Sequence, residues 1–133
     1  MIHNVLSRGQ RVLHLALFCL LSLVLVPTMA NAAEQDAAIA WDKIAAGAMV
    51  VDVRTPEEFA EGHLTNAVNI PFEQVAEEFT KRGIAKDAPV VLYCRSGRRS
   101  GIAIEALVAA GYTQTHNAGG YQSLIEAQKT PAK

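Results

Sequence analysis

The sequence predicts an α/β domain with a largely parallel central sheet and helices on both faces. Two features carry this. Short apolar, β-branched runs alternate with stretches of helical periodicity, and glycines, prolines and other turn residues separate one from the next. No repeat and no internal boundary interrupts the alternation, so the expected domain is a single one spanning residues 39–128.

The elements follow in order. Residues 33–38 are alanine-rich and polar without periodicity and read as a loose lead; residues 39–46 form a short helix stopped by Gly47. Residues 49–53, Met-Val-Val-Asp-Val, are a buried strand. Thr55-Pro56-Glu57-Glu58 then supplies an N-cap, a proline at the first helical position and a glutamate three residues after the cap. This is a capping box, opening a short helix that ends at Gly62. Residues 67–70 are a brief second strand, stopped by Pro71.

Phe72, Val75, Ala76 and Phe79 recur at helical spacing, which predicts an amphipathic helix over 72–82 with Gly83 at its end. Asp87-Ala88-Pro89 turns the chain into a third strand, 90–93, followed by a loop over 94–99. The next helix, 100–110, sets Ala103, Ala106, Leu107 and Ala110 on one face and stops at Gly111. A weak fourth strand over 113–117 and a last helix over 121–128, after Gly119-Gly120, complete the reading.

The first 32 residues are expected to stand apart from this fold. Residues 1–11 carry Arg8 and Arg11 without an acid, residues 12–26 are apolar except for His14 and Ser22, and the stretch from Pro27 to Ala32 closes on small residues. That pattern is a secretory signal peptide, cleaved after Ala32 or Ala30. The apolar run is shorter than the roughly 20 residues a hydrocarbon core requires, so no stable membrane anchor is expected after cleavage. Removal takes Arg8 and Arg11 from the 12 basic residues and nothing from the 13 acidic ones, leaving 10 against 13 and a net charge of −3. A nucleic-acid surface is not expected from that balance.

Cys19 leaves with the signal, and the bulky Phe18 before it does not suit lipoprotein cleavage there. Cys94 then stands alone and forms no internal disulfide, so the core must hold the domain. A chain of about 100 residues can do this, burying between ~60 and ~70% of its unfolded surface.

Cys94 follows a buried strand directly, at the carboxyl end where open α/β sheets bind ligands. Behind it come Arg95-Ser96-Gly97-Arg98-Arg99-Ser100, leading into a helix. Free amides at a helix N-terminus and in a tight glycine-containing loop converge on an anion. Three guanidiniums and the helix dipole favour thiolate over thiol. The same cationic nest would hold an anionic substrate for the thiolate to attack. A lone cysteine ending a buried strand also fits the plain role of a small apolar side chain. Three arginines at a helix N-terminus, where the dipole disfavours cations, argue for an anion site instead.

With these residues in place, the sequence resembles the rhodanese family, in particular its small, exported, single-domain members. The resemblance runs from about Ile39 to Gln128. It rests on Asp52-Val53-Arg54, Glu58-Phe59, Gly62-His63, Ala67-Val68-Asn69-Ile70-Pro71, the Cys94 loop and Asn117-Ala118-Gly119-Gly120. The loop is its most specific part, being similar to the Cys-Arg-x-Gly-x-Arg/Thr pattern of rhodaneses that use thiosulfate.

The resemblance implies a rhodanese-like fold and a thiosulfate sulfurtransferase. Cys94 would be the nucleophile and carry the sulfur as a persulfide; Arg95, Ser96, Gly97, Arg98, Arg99 and Ser100 would bind substrate, with Arg95 and Arg99 most tied to thiosulfate. The sulfur would pass to cyanide or to a thiol, a protein thiol included. No cofactor is expected, and the domain would act as a periplasmic monomer. A second reading, from a different class, is a persulfide carrier fed by a partner protein. Phosphatases and arsenate reductases of related architecture carry Cys-x5-Arg; here that sixth position is Ser100 and the arginine comes one place early, at Arg99. The loop is thus too short for phosphate or arsenate.

Asp52 and Arg54 end the first strand and, by the resemblance, brace the loops, with Arg54 approaching the site. Glu57 and Glu58 are explained by the capping box and require no general-base role. His63 and His116 pair with no second ligand at metal spacing, so no metal site is expected. Tyr121 is placed either in the pocket wall or in the core, and Trp41 reads as packing under the sheet.

Overall fold

The computed structural model describes residues 29–130. Most of the expected signal peptide, residues 1–28, lies outside the described residues. Among these residues four strands, β1 (Met49–Asp52), β2 (Val68–Asn69), β3 (Val90–Cys94) and β4 (Thr115–Gly120), form one sheet in the order β2-β1-β3-β4. Every pairing is parallel: Val51 faces Leu92 across β1 and β3, and Leu92 faces Asn117 across β3 and β4.

Among the described residues, five α-helices flank the sheet: α1 (Met29–Ala45), α2 (Pro56–Glu61), α3 (Val75–Lys81), α4 (Arg98–Ala109) and α5 (Tyr121–Lys129). Because strand side chains alternate, β3 feeds two cores. Val90, Leu92 and Cys94 meet Val75 and Phe79 of α3 and Ala103 and Leu107 of α4 on one face. Val91 and Tyr93 meet Ala37 and Ala40 of α1 and Leu124 of α5 on the other. All five β3 residues are therefore buried, as a central strand covered on both sides requires.

Several elements differ from the sequence expectation for identifiable reasons. α1 runs straight through residues 33–38, expected as a loose lead. Its small alanines let the helix lie close on the sheet: Ala37 and Ala40 are fully buried, and the Asp36 carbonyl meets His116 Nε2 at 3.0 Å. The helix expected over 72–82 begins as a 3-10 turn, Phe72–Gln74, before α3. On α4 the side chain completing the buried face is Ile104, while Ala106 is exposed. The α4 helix also starts at Arg98, so Arg98 and Arg99 belong to its first turn rather than to a loop over 94–99. Finally, Gly119 and Gly120 end β4 instead of breaking the chain before α5.

The α2 start forms as read. Thr55 Oγ1 accepts from the Glu58 amide at 3.2 Å, and Glu58 Oε1 accepts from the Thr55 amide at 3.3 Å. Trp41 packs under the sheet and donates from Nε1 to the Leu124 carbonyl at 3.0 Å, tying α1 to α5.

Candidate active site

The strand order places a crevice. The chain leaves β1 towards β2 on one side and leaves β3 towards β4 on the other, so the gap beyond the carboxyl ends of β1 and β3 is the switch point of the sheet. Asp52 ends β1 and Cys94 ends β3. The two helices that follow them, α2 and α4, begin on either side of this gap.

Cys94 is 1% exposed. The turn after it brings the Gly97 amide to 3.0 Å from its sulfur and the Ser100 hydroxyl to 3.6 Å. Gly97 adopts a left-handed φ of 96° as the N-cap of α4, a conformation glycine takes without a side-chain clash. No side chain among the described residues caps this helix, which leaves its first amides able to face an anion. Burial pushes the Cys94 thiol up, but the Ser100 amide and hydroxyl, then the Ser96 and Gly97 amides, outweigh it, and the thiol lies below its ordinary pKa. The single Ser100 proton also has Asn117 Oδ1 at 2.8 Å and the Gly97 carbonyl at 3.0 Å within reach, so the fixed amides are the steadier donors.

Asn117 on β4 fastens this turn. Its Nδ2 donates to the Gly97 carbonyl at 3.0 Å, and its Oδ1 accepts from the Gly119 amide at 3.0 Å. Behind it, a Cβ on Gly120 would fall 2.5 Å from the Arg95 carbonyl oxygen, so only glycine lets β4 approach the loop this closely.

The three arginines divide into two kinds. Arg95 and Arg98 are exposed and join no ion pair among the described residues. Arg99 is mostly buried and bound: Nη1 donates to Glu58 Oε1 at 2.7 Å and Nη2 to Glu58 Oε2 at 2.9 Å. The guanidinium draws Glu58 down to about 2. Glu58 in turn holds Arg99 firmly charged, and the nearby Cys94 sulfur adds to this. Of the three guanidiniums expected near the sulfur, that of Arg99 is neutralised by a carboxylate 41 residues away in the chain.

Asp52 and Arg54 brace the same edge. Arg54 donates to the fully buried Asp52 carboxylate from its amide at 2.9 Å, from Nε at 3.0 and 3.1 Å and from Nη2 at 2.6 Å, and Nη2 also reaches the Gly62 carbonyl. Its guanidinium lies 4.6 Å from the Tyr121 ring centre and 5.6 Å from that of Tyr93, which spreads its charge over two aromatic faces. Arg54, Glu58, Glu61, Arg95, Tyr121 and Gln122 line a polar cleft of about 340 Å³ beside the loop. Tyr121 thus serves both wall and core, since it also packs against the α1 side of the sheet. Cys94 is not in the lining; its neighbour Arg95 is.

A family description, rhodanese-like domain, matches residues 34–127. The chain belongs to the rhodanese family. Thiosulfate sulfurtransferase PspE of Escherichia coli is 40% identical over 74 residues, spanning 56% of this chain and 71% of PspE. Thiosulfate sulfurtransferase GlpE of Pseudomonas entomophila is 36% identical over 76 residues, spanning 57% of this chain and 68% of GlpE. Among solved structures, a rhodanese with anions from E. coli is 39% identical, with a TM-score of 0.55 over 58% of this chain and 91% of that one.

In this rhodanese the structure brings together Ser96, Gly97 and Ser100 as one turn around the Cys94 sulfur, with Arg99 beside it and Arg95 at the cleft. Arg98 points to solvent. Three residues around the turn were not singled out from the sequence as parts of a site. Glu58 was accounted for by the cap it completes, and nothing local signals its second partner. Asn117 and Gly120 sit within the Asn-Ala-Gly-Gly stretch that carried part of the resemblance, which was the only signal for them.

Proposed function

We propose that this rhodanese domain is a thiosulfate sulfurtransferase working through a persulfide on Cys94. The observation that carries the reading is the sulfur itself: it ends β3 under the start of α4, accepts the Gly97 amide at 3.0 Å and is held below the ordinary thiol pKa. The names of PspE and GlpE add support for the donor.

In the first step the Cys94 thiolate attacks the outer sulfur of thiosulfate. A Cys94 S–S bond forms, the bond to the sulfonate sulfur breaks, and sulfite leaves with that bond's electron pair. The outer sulfur remains on Cys94 as a persulfide anion, which the amides of Ser96, Gly97 and Ser100 stabilise. Arg95, exposed at the cleft and without a carboxylate partner among the described residues, meets the incoming sulfonate. In the second step cyanide or a thiolate attacks the outer sulfur, leaves as thiocyanate or a persulfide, and returns the Cys94 thiolate.

Without an acceptor, the protein is expected to release one sulfite per chain from thiosulfate and then stop, and Cys94→Ser to release none. Multiple turnovers in the Cys94→Ser variant would overturn the reading. No sulfite release from thiosulfate, with Cys94 gaining one sulfur atom only from a persulfidated protein that leaves as its thiolate, would instead assign the chain as a carrier. The burial of Cys94 favours the small donor, because a partner's backbone would have to enter the crevice.

The signal-like segment supports export, and a periplasmic site of action is part of the proposal. Cleavage after Ala32 would shorten α1 by four residues and leave the buried Ala37 and Ala40 in place. A periplasmic form whose first residue is Ala33 or Asn31 is expected; a full-length chain confined to the cytoplasm would contradict it.

A further inference from the structure

The Glu58 carboxylate does two jobs at once. Its own helix uses it to close the capping box with Thr55. Across the crevice it takes both terminal nitrogens of Arg99, at 2.7 and 2.9 Å, with side-chain exposures of only 28% for Glu58 and 18% for Arg99. A bidentate carboxylate fixes a guanidinium in both direction and plane, which a single hydrogen bond does not. This one contact therefore joins the first turn of α2, which follows β1, to the first turn of α4, which follows β3. The turn of α4 so held is the one whose amides and Ser100 hydroxyl face Cys94, and Arg99 itself lies where the Cys94 sulfur adds to its charge.

We propose that Glu58 is a positioning residue for sulfur transfer, acting through Arg99 to hold the start of α4 in register with the Cys94 sulfur. This rests on the sulfurtransferase reading above. The Glu58 carboxylate bonds to Thr55 and Arg99, not to the sulfur. Its effect passes through a group 41 positions away, so losing it loosens the geometry of the nucleophile rather than removing a reactive group. Misplacement on the scale of an ångström is enough to slow a reaction by about 100-fold.

The capping box makes a clean test available. Glutamine serves at the third helical position of such a box as glutamate does, so Glu58→Gln keeps the cap and the helix while losing the charge and the second acceptor oxygen. Glu57→Gln, at the exposed neighbouring position, removes the same charge without touching Arg99 and is the control. The first-turnover rate of sulfite release from thiosulfate is measured for wild type, both variants, Arg99→Gln and the Glu58→Gln/Arg99→Gln double.

Glu57→Gln should match wild type, and Glu58→Gln should be slower by about 10- to 100-fold. The double should be no slower than Arg99→Gln alone, because the two residues act as one unit. Equal rates for Glu57→Gln and Glu58→Gln, or single effects that multiply in the double, would overturn the proposal. Should wild type release no sulfite at all, the sulfurtransferase reading fails. The positioning role is then read from alkylation of Cys94 by iodoacetamide at neutral pH, where Glu58→Gln must react several-fold more slowly than Glu57→Gln and an equal rate refutes it.

Discussion

The Gly97 amide points at the Cys94 sulfur from 3.0 Å, and it does so because Gly97 holds a φ of 96° that other residues resist. A Cβ added there would also meet Gly119 Cα at 3.2 Å. Backbone conformation and thiolate chemistry are thus one requirement at this position. Gly97→Ala is expected to cost about 1–2 kcal/mol of stability and to raise the Cys94 pKa by displacing its amide donor. Urea denaturation and the pH profile of Cys94 alkylation check the two parts; an alkylation profile unchanged from wild type would contradict the amide's role.

The Asp52–Arg54 pair carries a different expectation. Asp52 is fully buried and receives four hydrogen bonds from Arg54. Arg54→Ala would strand a buried carboxylate, which costs roughly 3–5 kcal/mol. The midpoint of urea denaturation should fall accordingly. A loss below about 1 kcal/mol, the scale of a surface pair, would mean that water reaches Asp52 freely.

The Glu58–Arg99 bond should leave a mark on acid stability. Glu58 is lowered from 4.5 to about 2 in the folded chain, chiefly by Arg99. A depressed carboxylate binds its proton more readily when unfolded, so its stabilisation is full above the unfolded value and is lost as pH falls from about 4.5 towards 2. Wild type should therefore exceed Glu58→Gln in stability at neutral pH, and the gap should close across that window. Denaturation curves for both proteins from pH 7 downwards check this; a gap constant to the acid limit would mean that Glu58 is not charged by virtue of Arg99.

Much of this was legible in the chain, and the exceptions share a cause. Strand β3 is specified locally, by the short apolar run from Val90 to Tyr93, and forms within one residue of that reading, whereas the turn after it is shorter than the sequence suggests because α4 begins at Arg98. The α2 cap likewise follows from four consecutive residues. What local pattern does not carry is partnership at a distance. Ala37 and Ala40 give α1 no amphipathic signature, although alanine favours helix, and it is the sheet beneath that buries that face. Glu58 looked fully explained by Thr55, three residues away, which concealed Arg99. The sequence places Arg98 and Arg99 in the loop before a helix over 100–110; in the structure they open α4, where the Glu58 carboxylate offsets the dipole penalty for Arg99, while Arg98 turns to solvent.

The central claim is that Cys94 carries the transferred sulfur, and intact mass of the reduced protein tests it most directly. After thiosulfate the wild-type chain should gain one sulfur atom, lose it again on adding cyanide or a thiol, and show no gain as Cys94→Ser. A wild-type chain with a free thiol and no added mass, or the same gain in Cys94→Ser, would contradict the account.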